Sequence, residues 1–298
     1  MPVRPKAFFL PSGAVQTTQS GQRFCLFYPA ECGASGGAFR GLVLYIHPFA
    51  EEMNKARRMA ALQARALAQA GYAVLQMDLL GCGDSSGDFG DATWQSWVSD
   101  VVQGCHWLRK QSNIQSAGPD NVPLWLWGLR AGCLLAVEAA GQLGAPCNFL
   151  FWQPPSAGQP LLQQFLRLKL AGDLLSGQAK GVMEGMRRQL ADGLPVEIAG
   201  YLLSPGLATG LEQAALVPPT DQGPTQRLEW FEVSKREDAG LCPISAKTIA
   251  QWRQAGFAVD SHIVHGPAFW QTTEIEDAPE LIAATTAVIA NPSWQQIE

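Results

Sequence analysis

One short segment of the sequence has the residue types and spacing of a turn that presents a reactive side chain. Residues 124–129 predict a buried strand, and residues 131–143 predict a helix. The turn between them, Gly128-Leu-Arg-Ala-Gly132, has the G-x-S-x-G spacing of a nucleophile elbow, with Arg130 at the serine position. Arginine is charged at any working pH and cannot attack a carbonyl. A tight turn with incidental glycines explains the same residues, so the motif alone leaves both interpretations open.

In an elbow, the Arg130 side chain would point into a pocket beside the backbone N–H of Ala131 at the helix start. A guanidinium beside a helix N-terminus forms an anion site, suited to a carboxylate, a phosphate or a sugar-nucleotide-type group. Because a buried arginine without a partner is costly, an internal ion pair with Glu51 or Glu52 is the competing prediction. The two can coexist if a ligand displaces the carboxylate.

Other nucleophiles occur near the same predicted sheet edge. Ser85, Ser86 and Cys82 lie in a loop rich in Gly, Asp and Ser, and Cys133 is one turn into the helix after the elbow. A cysteine near Arg130 and a helix N-terminus could have a lowered pKa. We expect instead that the serines form turns and that the cysteines pack in the core.

Alternating strands and helices position this turn, which implies parallel pairing with right-handed crossovers. Strands are predicted at 42–47, 73–78, 124–129, 148–153, 228–233 and 257–264, with an edge hairpin at 14–18 and 22–28. Helices are predicted at 52–70, 93–110, 131–143, 243–255 and 274–290. The alternation breaks at 156–226, where helix-prone stretches at 161–175 and 179–190 predict an inserted helical cap. The expected core is 1–155 and 227–298.

Three motifs on three strands resemble those of the α/β-hydrolase superfamily. His47-Pro48 stands where those proteins usually carry His-Gly, and Asp78-Leu-Leu-Gly-Cys-Gly-Asp-Ser85 is similar to their D-x-R-G-x-G-x-S turn. Together with the Gly128–Gly132 turn, these motifs extend the resemblance over about residues 20–290. It implies an α/β-hydrolase fold, with a mostly parallel central sheet, flanking helices and a helical cap insertion.

The same resemblance assigns roles to individual residues. The backbones of Phe49 and Ala131 would correspond to the oxyanion hole. The catalytic acid would follow the strand at 228–233, where Glu237 and Asp238 are the candidates.

The histidine of these hydrolases follows the last strand, in a turn like G-x-G-H-F. Here that turn is Gly266-Pro-Ala-Phe269-Trp270, and His265 precedes the glycine. The nucleophile and the base are therefore missing, and losing a triad member leaves only about 10³–10⁴-fold acceleration over water. Ordinary Ser-His-Asp hydrolysis is not expected.

A closer resemblance is to the exosortase A system-associated hydrolase 2 family. The residues that carry it are 47–58, 128–132 and 266–272. It implies an association with bacterial exopolysaccharide and PEP-CTERM sorting loci. That family is named a hydrolase by its fold, so the name settles no activity.

The leading hypothesis is a protein that binds an anionic or acyl-bearing small molecule at Arg130. The expected pocket residues are His47, Glu51, Glu52, Ser85, Arg130, Phe269 and Trp270, with Phe165 and Leu166 as an apolar wall from the cap. An acyl hydrolase or acyltransferase with another nucleophile is one alternative. A non-catalytic scaffold that binds a pathway partner through the cap is another.

Composition limits the other function classes. The net charge is −5 and there is no basic stripe, so nucleic acid is not an expected partner. Seven cysteines without C-x-x-C and four histidines without ligand spacing predict neither a metal site nor a cofactor. The N-terminal apolar run is too short for a signal peptide, and residues 131–143 are too short to span a membrane. We expect a cytoplasmic protein that forms a homodimer or binds a pathway protein.

Overall fold

The computed structural model describes residues 4–12, 21–31, 38–111, 122–174, 181–220 and 226–290. Within these ranges, eight strands form one sheet in the order β1-β2-β4-β3-β5-β6-β9-β10. The pairs β1–β2 and β2–β4 are antiparallel, and the remaining pairs are parallel. In chain order the strands are β1 Lys6–Pro11, β2 Gln22–Tyr28, β3 Gly41–Ile46, β4 Tyr72–Met77, β5 Leu124–Leu129, β6 Asn148–Trp152, β7 Val196–Ile198, β8 Tyr201–Leu203, β9 Arg227–Ser234 and β10 Ala258–His265.

Helices cover both faces of this sheet. In chain order they are α1 Glu51–Gln69, α2 Trp94–Gln111, α3 Ala131–Ala140, α4 Gln159–Leu174, α5 Val182–Ala191, α6 Pro205–Gln213, α7 Pro243–Gln254 and α8 Pro279–Ile289. Side chains of β3 alternate between the two faces: Leu44 joins the apolar cluster with α2, α3 and α7, and Val43 joins the cluster with α1 and α8. The central strands are therefore buried on both faces, as their continuous apolar runs predicted.

Local sequence signals set several helix boundaries. The Oγ1 atom of Thr93 accepts a hydrogen bond from the backbone N–H of Ser96 at 3.1 Å, which confirms the predicted cap of α2. Helix α8 begins at Pro279, five residues later than the predicted 274, because proline suits the first turn of a helix.

The segment between β6 and β9, which we call the cap (residues 156–226), differs in part from its prediction. Helices α4 and α5 correspond to the two predicted stretches. The cap also contains the antiparallel hairpin β7–β8 and the helix α6, neither of which was predicted. Its side chains reach the sheet edge: the Phe165 ring lies 5.1 Å from the Phe49 ring.

The edge hairpin also differs from its prediction. Strand β2 confirms the predicted segment 22–28, and its antiparallel partner is β1 at Lys6–Pro11. The predicted strand 14–18 lies outside the described residues. Among the helices of the described ranges, none is long and apolar enough to cross a membrane.

Candidate functional site

The turn after β5 is a true elbow. Arg130 has φ +54° and ψ −118°, a conformation that is strained for a side-chain-bearing residue. A Cβ on Gly128 would lie 2.5 Å from the backbone nitrogen of Cys133, and one on Gly132 would lie 2.1 Å from the carbonyl oxygen of Ile46. Both glycines are therefore required by the close packing of α3 against β5 and the end of β3. The interpretation of incidental glycines is wrong.

The Arg130 guanidinium is held by an ion pair to α1. Its Nη2 lies 3.2 Å from Oε1 of Glu52, and its Nε donates to both carboxylate oxygens of Glu52 at 3.3 and 3.4 Å. The two side chains are 13% and 6% exposed. Glu52 is thus the internal partner that a buried arginine requires.

Two amide side chains complete this cluster. Gln164 on α4 accepts a hydrogen bond from Nη2 of Arg130 at 2.8 Å and donates to Oε1 of Glu52 at 3.4 Å. Gln271, in the turn after β10, donates to the same Oε1 at 3.4 Å. The cluster therefore joins the elbow, the start of α1, the cap and the loop after the last strand.

Neighbouring strands explain why these residues meet. Strands β3 and β5 pair in parallel, so the residues that follow them, Glu51 and Glu52 after β3 and Arg130 after β5, emerge at the same sheet edge. The carboxyl ends of parallel strands are the usual place for a ligand site in an open α/β sheet.

Burial dominates the electrostatics of the two acids. It raises the pKa of Glu52 above its ordinary value, while the charge and hydrogen bonds of Arg130 and the hydrogen bonds from Gln271 and Gln164 lower it. It also raises the pKa of Glu51, and the charge of Glu52 acts in the same direction. The Oε2 atom of Glu51 is buried and has no hydrogen-bond partner among the described residues.

A cleft of about 230 Å³, which includes open solvent, lies over this cluster. Its lining residues are Phe49, Glu51, Glu52, Arg130, Leu161, Gln164 and Phe165. The predicted pocket residues Glu51, Glu52 and Arg130 thus come together, and Phe165 forms an apolar wall from the cap. Leu166 is fully buried and belongs to the core. Ala131 is also buried, at the first position of α3, where its backbone N–H has no partner within the helix.

His47 is not among the lining residues of the cleft. Its Nδ1 lies 2.8 Å from the carbonyl oxygen of Pro48, and its Nε2 accepts a hydrogen bond from the backbone N–H of Leu79 at 3.3 Å. Burial lowers its pKa, which is consistent with a neutral ring that donates through Nδ1. Its role is to join the loops after β3 and β4.

Ser85 is also placed outside the cleft lining. Its hydroxyl donates to the carbonyl oxygen of Asp78 at 2.5 Å and accepts from the backbone N–H of Phe24 at 2.9 Å. Ser86 binds the backbone of Gln22 in a similar way. Both hydroxyls fasten the loop after β4 to strand β2, as expected for turn-forming serines.

The two cysteines near the elbow pack in the core. Cys82 and Cys133 are buried, and burial raises the pKa of both thiols well above the ordinary value. The lowered pKa that would mark a reactive cysteine is absent at both.

Among the described residues, the acid and histidine positions suggested by the sequence share no hydrogen bond or ion pair with Arg130. Asp238 pairs with Arg236 in the turn after β9, with side chains 83% and 75% exposed, and Glu237 is exposed beside it. His265 is exposed at the end of β10. The side chains at these positions are exposed to solvent, whereas those of Arg130 and Glu52 are buried.

Phe269 and Trp270 belong to the core rather than to the cleft wall. The Phe269 ring packs 6.0 Å from the ring of Trp152 and 5.0 Å from that of Trp270, on the face covered by α1 and α8. The next residue of this turn, Gln271, does reach the cluster around Arg130 and Glu52, which we call the elbow cluster.

Sequence reasoning missed Gln164 and Gln271. Gln271 stands in the turn that follows the last strand, so a search of that turn for any polar side chain would have found it. Gln164 carries no comparable signal, because its position over the elbow depends on how the cap folds back.

Comparison with known proteins supports the fold. Residues 37–168 match the model of a family described as "Serine aminopeptidase, S33", which covers less than half of the chain. The human protein "Protein ABHD12B" is 25% identical over 187 residues. That match covers 59% of this chain and 46% of the human protein, so the chain spans less than half the length of that relative.

Solved structures resemble nearly the whole chain at low sequence identity. Est1E from Butyrivibrio proteoclasticus superposes with a TM-score of 0.60 at 12% identity, over 97% of this chain and 98% of its own. A soluble variant of monoglyceride lipase from Saccharomyces cerevisiae gives 0.58 at 14%, over 98% and 94%. A carboxyl esterase from Bacillus coagulans gives 0.56 at 15%, over 97% and 99%. The sheet order, the elbow and these likenesses together show that the chain has the α/β-hydrolase fold.

Proposed function

We propose that this protein binds an anionic or acyl-bearing small molecule in the cleft over Arg130 and does not hydrolyse esters through a Ser-His-Asp triad. The observation that carries the proposal is the residue type at the central position of the elbow. The strained residue that α/β-hydrolases use as the nucleophile is here an arginine, and its guanidinium lies at the cleft.

The chemistry around the elbow supports binding over hydrolysis. Activation of a nucleophile needs a base within about 3 Å, and the side chains that hydrogen-bond to the cluster are carboxylate, guanidinium and amide groups. Neither amide, Gln164 nor Gln271, can accept a proton at working pH. The cluster can orient a charged group, but it holds no serine–histidine pair.

An acyl hydrolase remains the second candidate function, because monoglyceride lipase and the Bacillus coagulans carboxyl esterase bear lipase or esterase names. Those likenesses support the fold, and activity would require a nucleophile other than Arg130. The buried thiols of Cys82 and Cys133 are poor candidates for that role.

The biological setting is part of the proposal. The resemblance of residues 47–58, 128–132 and 266–272 to the exosortase A system-associated hydrolase 2 family supports a role in bacterial exopolysaccharide production. We infer a cytoplasmic protein whose core is 1–155 and 227–298, whose cap is 156–226, and which pairs with a second copy or with a pathway protein. Co-purification from a native host with a protein encoded at such a locus would support this setting.

The first test separates catalysis from binding. The wild-type protein and Arg130→Ala are assayed on p-nitrophenyl esters with C2 to C12 acyl chains. We expect no turnover above the buffer rate from either protein. Wild-type turnover that disappears in Arg130→Ala would show that the elbow is a working active site and would contradict the proposal.

The second test measures binding directly. Carboxylates and inorganic phosphate are titrated into the wild-type protein, Arg130→Met and Arg167→Met by calorimetry. Arg167 is the matched control, because it is an exposed arginine on α4, three residues from Gln164. We expect at least tenfold weaker anion binding in Arg130→Met and no change in Arg167→Met. Equal affinity in all three proteins would remove Arg130 from the site.

A further inference from the structure

The bonding of Arg130 leaves specific donors open at the cleft. Its Nε and Nη2 are engaged by Glu52 and Gln164, whereas Nη1 has no hydrogen-bond partner among the described residues. Arg130 is also absent from the buried side chains of those ranges that hold an unpartnered polar atom. A ligand can therefore reach Nη1 without breaking the ion pair to Glu52.

Glu51 supplies a second polar group to the same cleft. It lines the cleft, and its Oε2 is buried without a partner among the described residues. The charged and titratable groups that influence it are Glu52 and Lys55 on α1, Arg130 at the elbow and Tyr201 on the cap hairpin. A buried carboxyl oxygen without a hydrogen-bond partner in the protein calls for an explanation, and a ligand that supplies the partner is one.

The charges at the cleft decide which kind of anion can bind between Arg130 and Glu51. The single guanidinium is already shared with Glu52, so a phosphate dianion would face two carboxyl groups with one counter-charge. A monoanion adds less repulsion. A protonated Glu51 can also donate a short, charge-assisted hydrogen bond to a ligand carboxylate, the strong form of O–H···O⁻ contact.

The remaining walls favour an apolar tail. Phe49, Leu161 and Phe165 line the cleft beside the polar cluster, and each is buried in the core or at its edge. These three side chains offer apolar contact to the part of a ligand that lies next to its anionic group.

We propose that the ligand is a monocarboxylic acid with an apolar tail, whose carboxylate lies between Nη1 of Arg130 and the carboxyl group of Glu51. This inference rests on the proposed function and narrows it to one class of anion. It assigns Glu51 as the residue that selects a monoanion over a dianion.

Proton uptake gives the proposal a distinctive signature. Burial and the charge of Glu52 raise the pKa of Glu51 in the free protein, and a bound carboxylate would raise it further. Binding is then coupled to protonation, so affinity falls as pH rises above the pKa of Glu51. The limit is about tenfold per pH unit for one coupled proton.

The experiment is calorimetric titration with butyrate, inorganic sulfate and neutral butyramide at constant ionic strength, at about pH 6 and about pH 8. Sulfate stays a dianion at both pH values. The proteins are wild type, Glu51→Gln, Arg130→Met and the control Glu184→Gln, which changes an exposed acid on α5. Glutamine at position 51 keeps the shape and a donor but cannot titrate.

We expect butyrate to bind the wild type and Glu184→Gln more tightly at the lower pH and to bind Arg130→Met at least tenfold more weakly. In Glu51→Gln the affinity should be retained with a smaller pH dependence. Sulfate binding as tight as butyrate would overturn the inference and leave the anion site standing. Tight butyramide binding, or no binding of any probe, would overturn both. A wild-type pH dependence in Glu51→Gln would overturn the role of Glu51.

Discussion

At the scale of single residues, His47 shows how burial decides the role of a side chain that sequence patterns associate with a site. Both ring nitrogens are occupied by backbone groups, one at Pro48 and one at Leu79. Protonation of the ring would remove the acceptor for the Leu79 N–H and place a charge in the core. The folded protein therefore holds His47 in its neutral form.

This arrangement predicts a pH dependence of stability with a defined sign. Because burial lowers the pKa of His47, the unfolded chain binds its proton more readily, and the stabilising contribution is lost as pH falls below the ordinary value of about 6.5. The loss is up to about 1.4 kcal/mol per pH unit. Glu51, Glu52 and Asp100, whose pKa values are raised, act in the opposite direction.

The test therefore compares the wild type with a His47 variant at each pH, so that the contribution of His47 is separated from that of the acids. Urea unfolding of the wild type and His47→Asn is measured at about pH 5.5 and pH 7.5. The variant is expected to be less stable at both, because it loses one of the two hydrogen bonds. Its disadvantage should be smaller at the lower pH. A disadvantage independent of pH would contradict the neutral buried ring.

The elbow cluster marks the limit of residue-level prediction from the sequence. A buried arginine demands an acidic partner, which restricts the choice to Glu51 or Glu52 on the neighbouring loop. The structure selects Glu52 because of how the first turn of α1 is oriented. Gln164 and Gln271 could not be found this way, because an amide carries no charge pattern and both contacts join distant segments.

At the scale of elements, the cap is seated on the core by close helix packing. A Cβ on Gly210 of α6 would lie 2.1 Å from Cβ of Trp94 on α2. In contrast, a Cβ on Gly185 of α5 would meet nothing within 4 Å. The two glycines lie in cap helices and differ in the space around them.

This contrast gives a matched pair of variants. Gly210→Ala should destabilise the protein by about 1–3 kcal/mol, because α6 must move away from Trp94. Gly185→Ala should stabilise it by about 0.5–1 kcal/mol, since alanine is the better helix former. Chemical denaturation measures both free energies of unfolding. Equal effects of the two substitutions would show that α6 does not pack closely on α2.

The elements that the sequence predicted well are those with long apolar runs. Strands β3 to β6 each bury almost every residue, and β9 buries its central residues 228–231, so composition alone identifies them. Strands β7 and β8 have three residues each, around a turn in which Ala199 and Gly200 both have positive φ. Alanine is uncommon in that conformation, so the turn carries no sequence signal.

At the scale of the whole molecule, the cap and the sheet share one apolar interior. Phe165 and Leu166 on α4 and Leu211 on α6 belong to the same buried cluster as Leu44 on β3 and Trp97 on α2. The polar contacts of Gln164 with Arg130 and Glu52 cross the same boundary. Removing the cap would expose apolar side chains of the sheet edge, including the ring of Phe49.

We therefore expect the cap and the sheet to unfold in a single cooperative transition. Hydrogen exchange of the backbone amides in β3 and β5 follows the sheet. Hydrogen exchange of the backbone amides in α4 and α6 follows the cap. The urea midpoints from the two probes should coincide in the wild type, and both should move together in Gly210→Ala. A lower midpoint for the cap would show that it opens independently, and the cleft over Arg130 would then be gated by cap unfolding instead of closed by a shared core.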